Sequence, residues 1–515
     1  MSRFSRLLAP VERLVAALVD PARRERTAVV VLLVYAAVWS LYGAVAKSSQ
    51  DLHFDMGEAV SWSRELAWGY PKHPPLSAWL VRGWFSVFPL TDWSYYLFAI
   101  LLATLTLWFA WKLSAHYLDG EKRVVGLALL MLIPFFNFHA LKYNANTVML
   151  PFWAATTWWF LRSYETRSAV YAALAGIAAA GAMLGKYWSI LLLIGLAVAA
   201  VSDPRRKAYF RSAAPWVTVA AGALAVAPHV VWLAANDFGT FGYALDSHAT
   251  RTRWDAAGWG LGYLAGVAGY IALPVLLVLI AAWISQPRPG AAALLDTLWP
   301  ADPARRMALI AFVVPILLPA IAAVVAQSQV VSIWAIASMT LLPVVLLSSP
   351  RLTIPHSSVL GIVTLAIIVP VGAALASPVI AYVIHQRGVP NNAAQYQQLA
   401  AAIERVWRDT TDRPLRFVGG EPGLSSGAAF YLKDRPLAFP EFDQRGAPPV
   451  DPQRVTRDGI AMACVASDTY CTDRIAPRVA ASPPGRRAEV EIVRSYLGVA
   501  GAPQRYLIVT VPPRP

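Results

Sequence analysis

The stretch TAVVVLLVYAAVWSLYGAVA (27–46) gives way, after KSSQ, to DLHFDMGEAVSWSRELAWGYPKHPPL (51–76). The first piece carries no charge and has the length, about 20 residues, of a helix crossing a hydrocarbon core of about 30 Å. The second gathers Asp51, Asp55, Glu58, Glu65, Arg64, Lys72, His53 and His73 into one loop at a membrane face. Ionisable groups at such a boundary need partners or water, and they commonly mark a substrate path.

The rest of the chain fits this beginning. Of its 515 residues 57% are hydrophobic and 14% charged, against about 45–50% and about 25% in soluble domains. Apolar segments recur at 93–117, 124–138, 147–161, 169–184, 188–201, 213–234, 258–285, 307–326, 333–347 and 359–384. With 27–46 they predict an α-helical polytopic membrane protein of about eleven transmembrane helices. Arg3, Arg6, Arg13, Arg23, Arg24 and Arg26 precede the first span, which sets the N-terminus in the cytoplasm. Alternation then keeps the basic turns at Lys122-Arg123, Arg162 and Arg167, Arg205 to Lys207, Arg305-Arg306 and Arg351 inside. The 48–92 loop and the C-terminal tail fall outside. Topology thus accounts for the net charge of +14, and no nucleic-acid partner is implied.

The first span ends Ala44-Val45-Ala46, as signal-peptidase sites do, but the long basic lead and spanning-length core favour an uncleaved anchor. Within the cytoplasmic segment 1–26, Leu7, Leu8, Val11, Leu14, Val15 and Leu18 recur at helical spacing. That suits a helix lying on the inner leaflet, or equally one packed on the spans.

A membrane domain over 27–385 is followed by a change of composition near Gln386. Shorter apolar runs mixed with Pro, Gly, Arg and Asp predict an external soluble α/β domain over 386–515. Its expected elements are a helix at 393–407 and strands at 415–418, 427–432, 461–465, 490–493 and 506–511. The only two cysteines, Cys464 and Cys471, lie here, where an oxidising compartment favours their pairing. Val418-Gly-Gly-Glu-Pro-Gly423 lacks the spacing and the Lys-Ser/Thr of a phosphate loop and reads as a turn.

A lipid whose phosphate sits at the interface and carries a transferable group would need two things from the first loop. One is a carboxylate to take a proton from an acceptor hydroxyl; Asp55 and Glu58 supply it, with Asp51 close by. The other is positive charge to hold the phosphate as it leaves; Lys72 and His73 supply that, with Arg64 as a further candidate. If the stretch after Phe54 is helical, Asp55 and Glu58 share a face. Pro71, Pro74 and Pro75 forbid a regular helix around Lys72 and His73.

These residues carry a resemblance. Phe54-Asp55-x-x-Glu58-Ala59, then Trp62-Ser63-x-x-Leu66-Ala67-Trp68-Gly69-Tyr70, then His73-Pro74-Pro75-Leu76-x-Ala78-Trp79-Leu80 is similar to the first periplasmic loop of bacterial glycosyltransferase family 39. Those are GT-C fold enzymes related to protein O-mannosyltransferases and to the lipid A aminoarabinose transferase. The resemblance continues in Tyr143-Asn144-Ala145-Asn146, Gly185-Lys186-Tyr187 and Pro228-His229-Val230-Val231-Trp232, and covers about residues 30–340. It implies a multi-pass protein of the bacterial inner membrane with its active site and C-terminal domain in the periplasm. The implied reaction moves a sugar from a polyprenyl-phosphate donor to a glycolipid or glycan acceptor, such as lipopolysaccharide. Asp55 takes the role of base. Tyr70, Lys72, His73 and Asp51 contact substrate, and Lys186, Arg251 or Arg253 join in holding the phosphate. No cofactor is required, and a divalent cation is compatible with the scheme. Two departures stand out: Met56 follows Asp55 where many members have Glu, and Asn146 stands where relatives often carry Asp.

Rival readings are a lipid-linked substrate transporter or flippase, a protein O-glycosyltransferase, and a structural membrane protein. A transporter would show ionisable residues at mid-span and repeated halves. Here the spans are nearly free of charge at mid-depth and the acids cluster in one loop, which favours an interfacial enzyme.

Overall fold

The computed structural model describes residues 3–388, 395–440, 451–480 and 485–513. Its helices in chain order are α1 (Arg3–Val19), α2 (Arg24–Ala46), α3 (Phe54–Trp62), α4 (Leu76–Phe85), α5 (Asp92–Ser114), α6 (Gly120–Leu132), α7 (Ala145–Thr166), α8 (Ala169–Gly185) and α9 (Ile190–Ser202). There follow α10 (Arg206–Phe210), α11 (Ala214–Ala235), α12 (Gly239–His248), α13 (Arg253–Ile284), α14 (Ala291–Leu298), α15 (Pro303–Ala326), α16 (Leu342–Leu347) and α17 (His356–Arg387). Every apolar segment expected to span lies on helix. Among the described residues, however, only six helices are long and apolar enough to cross a membrane: α2, α5, α11, α13, α15 and α17. The bent pair of α6 and the helical turns up to Leu141, broken by 74°, makes a seventh if it is one broken span rather than a re-entrant loop. Pro134 causes the break: it lacks an N–H, and it forces Ile133 into an extended conformation (ψ 126°). The segments at α8, α9 and 333–347 form shorter apolar helices. The chain is a multi-pass membrane protein, and its spans are less uniform than hydropathy alone suggests.

At the N-terminus α1 packs on α2, α6 and α17, burying Val15 and Leu18. Of the two placements open for this amphipathic segment, the structure shows the packed one.

The C-terminal region forms α18 (Tyr396–Arg408), α19 (Pro422–Tyr431), α20 (Pro452–Asp458), α21 (Thr469–Ile475) and α22 (Pro477–Ala480) around a sheet. Its five strands are β1 (Phe417–Gly420), β2 (Leu437–Ala438), β3 (Ile460–Val465), β4 (Arg486–Ile492) and, after the short pair β5 (Ser495–Tyr496) and β6 (Val499–Ala500), β7 (Gln504–Val511). The order is β2-β1-β3-β7-β4, parallel among β2, β1 and β3 and antiparallel at β3-β7 and β7-β4. Strand alternation builds a core on each face. Ala461 and Ala463 meet α18 and α19 on one side, and Met462 and Cys464 meet α20 and α21 on the other. Cys464 and Cys471 are joined, tying β3 to α21.

One expected strand is corrected. Residues 427–432 fall in and just beyond α19, because Glu421 caps the helix, accepting the Leu424 N–H at 2.6 Å, and Pro422 opens it. The Gly-Gly-Glu-Pro stretch is not a separate turn: Gly419 and Gly420 end β1 and Glu421 alone joins it to that helix; Gly420 adopts φ +100°, and a Cβ there would lie 2.1 Å from the Ala463 carbonyl oxygen. The first two residues of the expected helix at 393–407 lie outside the described residues.

The C-terminal domain grips the first loop. A Cβ on Gly57 of α3 would lie 2.4 Å from the Ser426 carbonyl oxygen of α19, so only glycine permits that approach. Ser61 Oγ accepts the Ala438 N–H at 2.8 Å. Buried Asp51 pairs with Arg494 at 2.8 Å and accepts the Gln397 N–H at 2.9 Å.

Candidate active site

The helix anticipated after Phe54 is α3. His53 caps it, its Nδ1 accepting the Asp55 N–H at 3.2 Å. Asp55 and Glu58 therefore project one turn apart into a cavity of about 950 Å³. Irregular chain from Ser63 to Pro75 follows, as its prolines dictate, and brings Lys72 and His73 to the same cavity.

Each acid meets its own lysine. Asp55 Oδ2 lies 2.7 Å from Lys142 Nζ, and Glu58 Oε1 lies 2.7 Å from Lys72 Nζ. The two pairs differ in access. The side chains of Asp55 and Lys142 are 30% and 36% exposed, those of Glu58 and Lys72 11% and 14%. Burial would raise the Asp55 carboxyl, but the Lys142 charge outweighs it and holds Asp55 below the usual carboxylate range. Burial opposes the Lys72 charge too, yet the Glu58 carboxylate pushes that lysine above its ordinary value.

Lys186 enters from the far wall. Its Nζ donates to Asn146 Oδ1 at 2.6 Å and sits 4.6 Å from the centre of the Trp334 ring. Burial brings it down to about 7. Asn146 belongs to the first turn of α7, whose cap Asn144 accepts the N–H groups of Asn146 and Thr147. The positive end of the α7 dipole thus faces the lysines. Below them Leu141, Leu191, Pro319, Ala323, Val330 and Ile336 continue the cavity as an apolar wall. Among the described residues no three His, Cys, Asp or Glu side chains converge as a metal-binding group.

Of the residues singled out from sequence, Asp51, Asp55, Glu58, Lys72, His73 and Lys186 line this cavity. Four do not. Arg64 donates instead to the carbonyl oxygens of Ala429 and Pro436. Tyr70 is fully buried, stacked on Trp62 at 5.1 Å, with its hydroxyl 3.0 Å from the Trp62 and Glu65 carbonyl oxygens. It braces the loop. Arg251 and Arg253 stand exposed just before and at the start of α13, outside the cavity lining. His73 lines the cavity but not as a cation. Burial, then the Lys186 and Lys72 charges, push it down to about 3, so it offers a neutral imidazole. Asp51 is committed to Arg494. Sequence reasoning missed Lys142, although it directly precedes Tyr143-Asn144-Ala145-Asn146. It also missed His53, whose Nε2 lies 3.0 Å from Lys142 Nζ.

The overall arrangement has solved counterparts. ArnT from Cupriavidus metallidurans bound to undecaprenyl phosphate superposes with a TM-score of 0.61 at 16% identity, covering 94% of this chain and 99% of that one. Its apo state gives 0.58 at 14% identity over the same shares. The chain has the fold of ArnT, the GT-C fold. Within it, residues 72–232 match the family described as dolichyl-phosphate-mannose-protein mannosyltransferase. The lipopolysaccharide core galacturonosyltransferase RgtB of Rhizobium johnstonii is 29% identical over 204 residues, 38% of this chain and 41% of RgtB. The shared part therefore spans less than half of that curated relative. The match to the family runs from Lys72 through Lys142 and Lys186 to Trp232, so it takes in three of the four lysines that line the cavity and leaves out Lys47.

Proposed function

We propose that this chain is a membrane glycosyltransferase that takes a sugar from a polyprenyl-phosphate donor and passes it to an envelope acceptor, a glycolipid or glycan such as lipopolysaccharide. The observation that carries the reading is the cavity itself. Apolar side chains line it together with Lys47, Lys72, Lys142 and Lys186 and a helix N-terminus, beside an Asp55 carboxylate that is 30% exposed. A prenyl chain suits the wall, and a phosphate suits Lys142, Lys186 and Lys72. ArnT, of the same fold, is described with undecaprenyl phosphate bound, and RgtB as a lipopolysaccharide core transferase; both support these substrate classes.

The proposed step is a direct displacement with inversion. The acceptor oxygen attacks the anomeric carbon as its proton passes to the Asp55 carboxylate. The bond from that carbon to the phosphate oxygen breaks, and its electron pair leaves on the phosphate. Lysine charge meets the developing anion, so the leaving group needs no proton. Glu58 keeps Lys72 charged and in place, acting through it. No cofactor enters this scheme, and a divalent cation is compatible with it. The site and the C-terminal domain are assigned to the periplasmic side of the bacterial inner membrane, from the basic residues ahead of α2.

Purified protein in proteoliposomes should transfer labelled sugar from at least one member of a panel of polyprenyl-phosphate sugars into lipopolysaccharide or another envelope glycan. Transfer into protein alone would favour the O-glycosylation reading. Donor binding and flipping across the bilayer, with no transfer from any donor, would favour the transporter reading.

A further inference from the structure

On the other side of α3 lies a second cavity, of about 520 Å³, between the first loop, α4 and the C-terminal domain. Helical spacing lets one short helix wall both spaces. Asp55, Glu58, Ala59 and Trp62 line the large cavity, while Val60, Ser63 and Arg64 line the small one.

Its chemistry is one-sided. Arg64, Arg82, Arg416, Arg435 and Arg454 line it, against Glu65 and Asp434. Both acids are already engaged. Glu65 pairs with Arg454 at 2.8 Å, and Asp434 accepts the Leu415 N–H at 2.8 Å and pairs with Arg408 at 3.3 Å. Arg64 is fixed, donating to the Ala429 carbonyl at 3.1 Å and to that of Pro436. Arg82, Arg416 and Arg435 are exposed, and their side chains have no hydrogen-bond or ion-pair partner among the described residues. Arg435 also holds φ at +51°, a conformation that costs a non-glycine residue about 1 kcal/mol or more and that often accompanies function. Burial, then the Arg435 charge, push Arg64 down to about 9, as expected where positive charge lacks counter-charge.

The position is equally specific. Phe85, Ser86 and Leu90, at and after the end of α4, complete the lining. Exposed Val87 and Phe88 lie between them, and the span α5 begins at Asp92. The cavity therefore stands where the chain re-enters the membrane, with apolar surface next to arginines. A lipid bearing anionic groups on its head fits that combination; a soluble anion would have no use for the apolar edge.

We infer that this arginine cavity binds the phosphate or carboxylate groups on the headgroup of the acceptor lipid. The inference rests on the transferase reading and deepens it. A helix with its side chains is about 10 Å thick, so an acceptor anchored behind α3 needs only one or two sugar rings to bring a hydroxyl round to Asp55.

Because Arg82, Arg416 and Arg435 are exposed and unpartnered, the triple variant R82A/R416A/R435A should fold as the wild type does. Binding is measured on the full chain in phosphatidylcholine nanodiscs doped with phosphatidate, with saturating undecaprenyl phosphate present to occupy the large cavity and inorganic pyrophosphate as the soluble probe. The wild type should bind phosphatidate, and the triple variant at least about tenfold more weakly. Lys186→Gln, altered only in the large cavity, should retain this binding. Equal binding by wild type and triple variant overturns the site, and binding of pyrophosphate without phosphatidate overturns the lipid assignment. In transfer assays the triple variant should raise the acceptor KM about tenfold while leaving the donor KM alone. Transfer with an unchanged acceptor KM would sink the acceptor assignment and leave the transferase standing. Arginine-dependent phosphatidate binding in a protein that transfers no sugar would sink the transferase and leave the anion site.

Discussion

The two faces of α3 are held by different means. Toward the C-terminal domain the helix is fixed by close backbone approach, at Gly57 against Ser426, and by an uncharged hydrogen bond from Ala438 to Ser61. Toward the large cavity it makes two ion pairs, Asp55 with Lys142 and Glu58 with Lys72. Close packing fixes position and does not depend on ligands, whereas an accessible ion pair can exchange one partner for a charged substrate. The domain behind α3 thus sets where the carboxylates stand, and the membrane domain in front sets what they meet. Asp55, the more exposed of the two acids, is the one free to change partners.

The sharpest way to break this contrast is at Asp55. Asp55→Asn keeps the shape and the backbone contacts and removes the base, so kcat should fall about 10²–10⁴-fold with the melting temperature unchanged. Glu58→Gln should cost less in kcat and more in donor KM, because it releases Lys72 rather than removing the proton acceptor. An Asp55→Asn protein as active as wild type would move the base elsewhere.

Behind the helix the expected effect is on stability. Arg494→Ala strands the Asp51 carboxylate, whose side chain is 2% exposed, without its ion-pair partner. Removing one member of a buried pair typically costs about 3–5 kcal/mol, and here the loss should appear as earlier thermal release of the C-terminal domain from the first loop. Gly57→Val should act the same way by overpacking against Ser426, at about 1–3 kcal/mol. Both variants should lose activity in step with undocking. Full undocking with full activity would show that the domain does not position α3.

What the sequence revealed follows the range of the interactions involved. Asp55 and Glu58 were legible because their shared face comes from local helical spacing, and because charge is scarce elsewhere in the chain. The proline-directed approach of Lys72 was local as well. Lys142 was not: it meets His53 across 89 residues of sequence, and nothing near either residue announces the other. The charge state of His73 depends on burial by the whole fold and on Lys186, so a residue expected as a cation is neutral. Arg251 and Arg253 were chosen for charge alone, and charge does not say which way a loop faces. At 427–432 the Ala-Ala-Phe-Tyr-Leu run resembled a strand, but the Glu421-Pro422 helix start just upstream decided the matter. Every apolar segment that hydropathy marked lies on helix, although only six helices reach the length and apolarity of an unbroken span among the described residues, and the shorter α4, α12 and α14 went unanticipated.

The mildest effect, and the one that best separates Lys72 from Lys186 among the cavity's cations, is the pH dependence of donor binding. Lys72 is kept protonated by Glu58, so its contribution should be flat across the neutral range. Lys186 has no carboxylate beside it and is brought down to about 7 by burial. A lysine with a lowered value carries its charge below about pH 7 and loses it above. A bound phosphate stabilises the charged form, so binding takes up a proton. Affinity for a polyprenyl-phosphate sugar, whose diester phosphate keeps one charge throughout, should therefore be full on the acid side and weaken as pH rises through about 7, by up to about tenfold per unit until the lysine's value in the bound state is reached. Lys186→Arg keeps the charge throughout and should flatten the profile, while Lys186→Gln should be flat and weak. Calorimetric titration at several pH values, in buffers of different ionisation heat, reads both affinity and proton uptake. A wild type with pH-independent affinity and no proton uptake would mean that Lys186 does not meet the phosphate, leaving Lys142 and Lys72 to hold it.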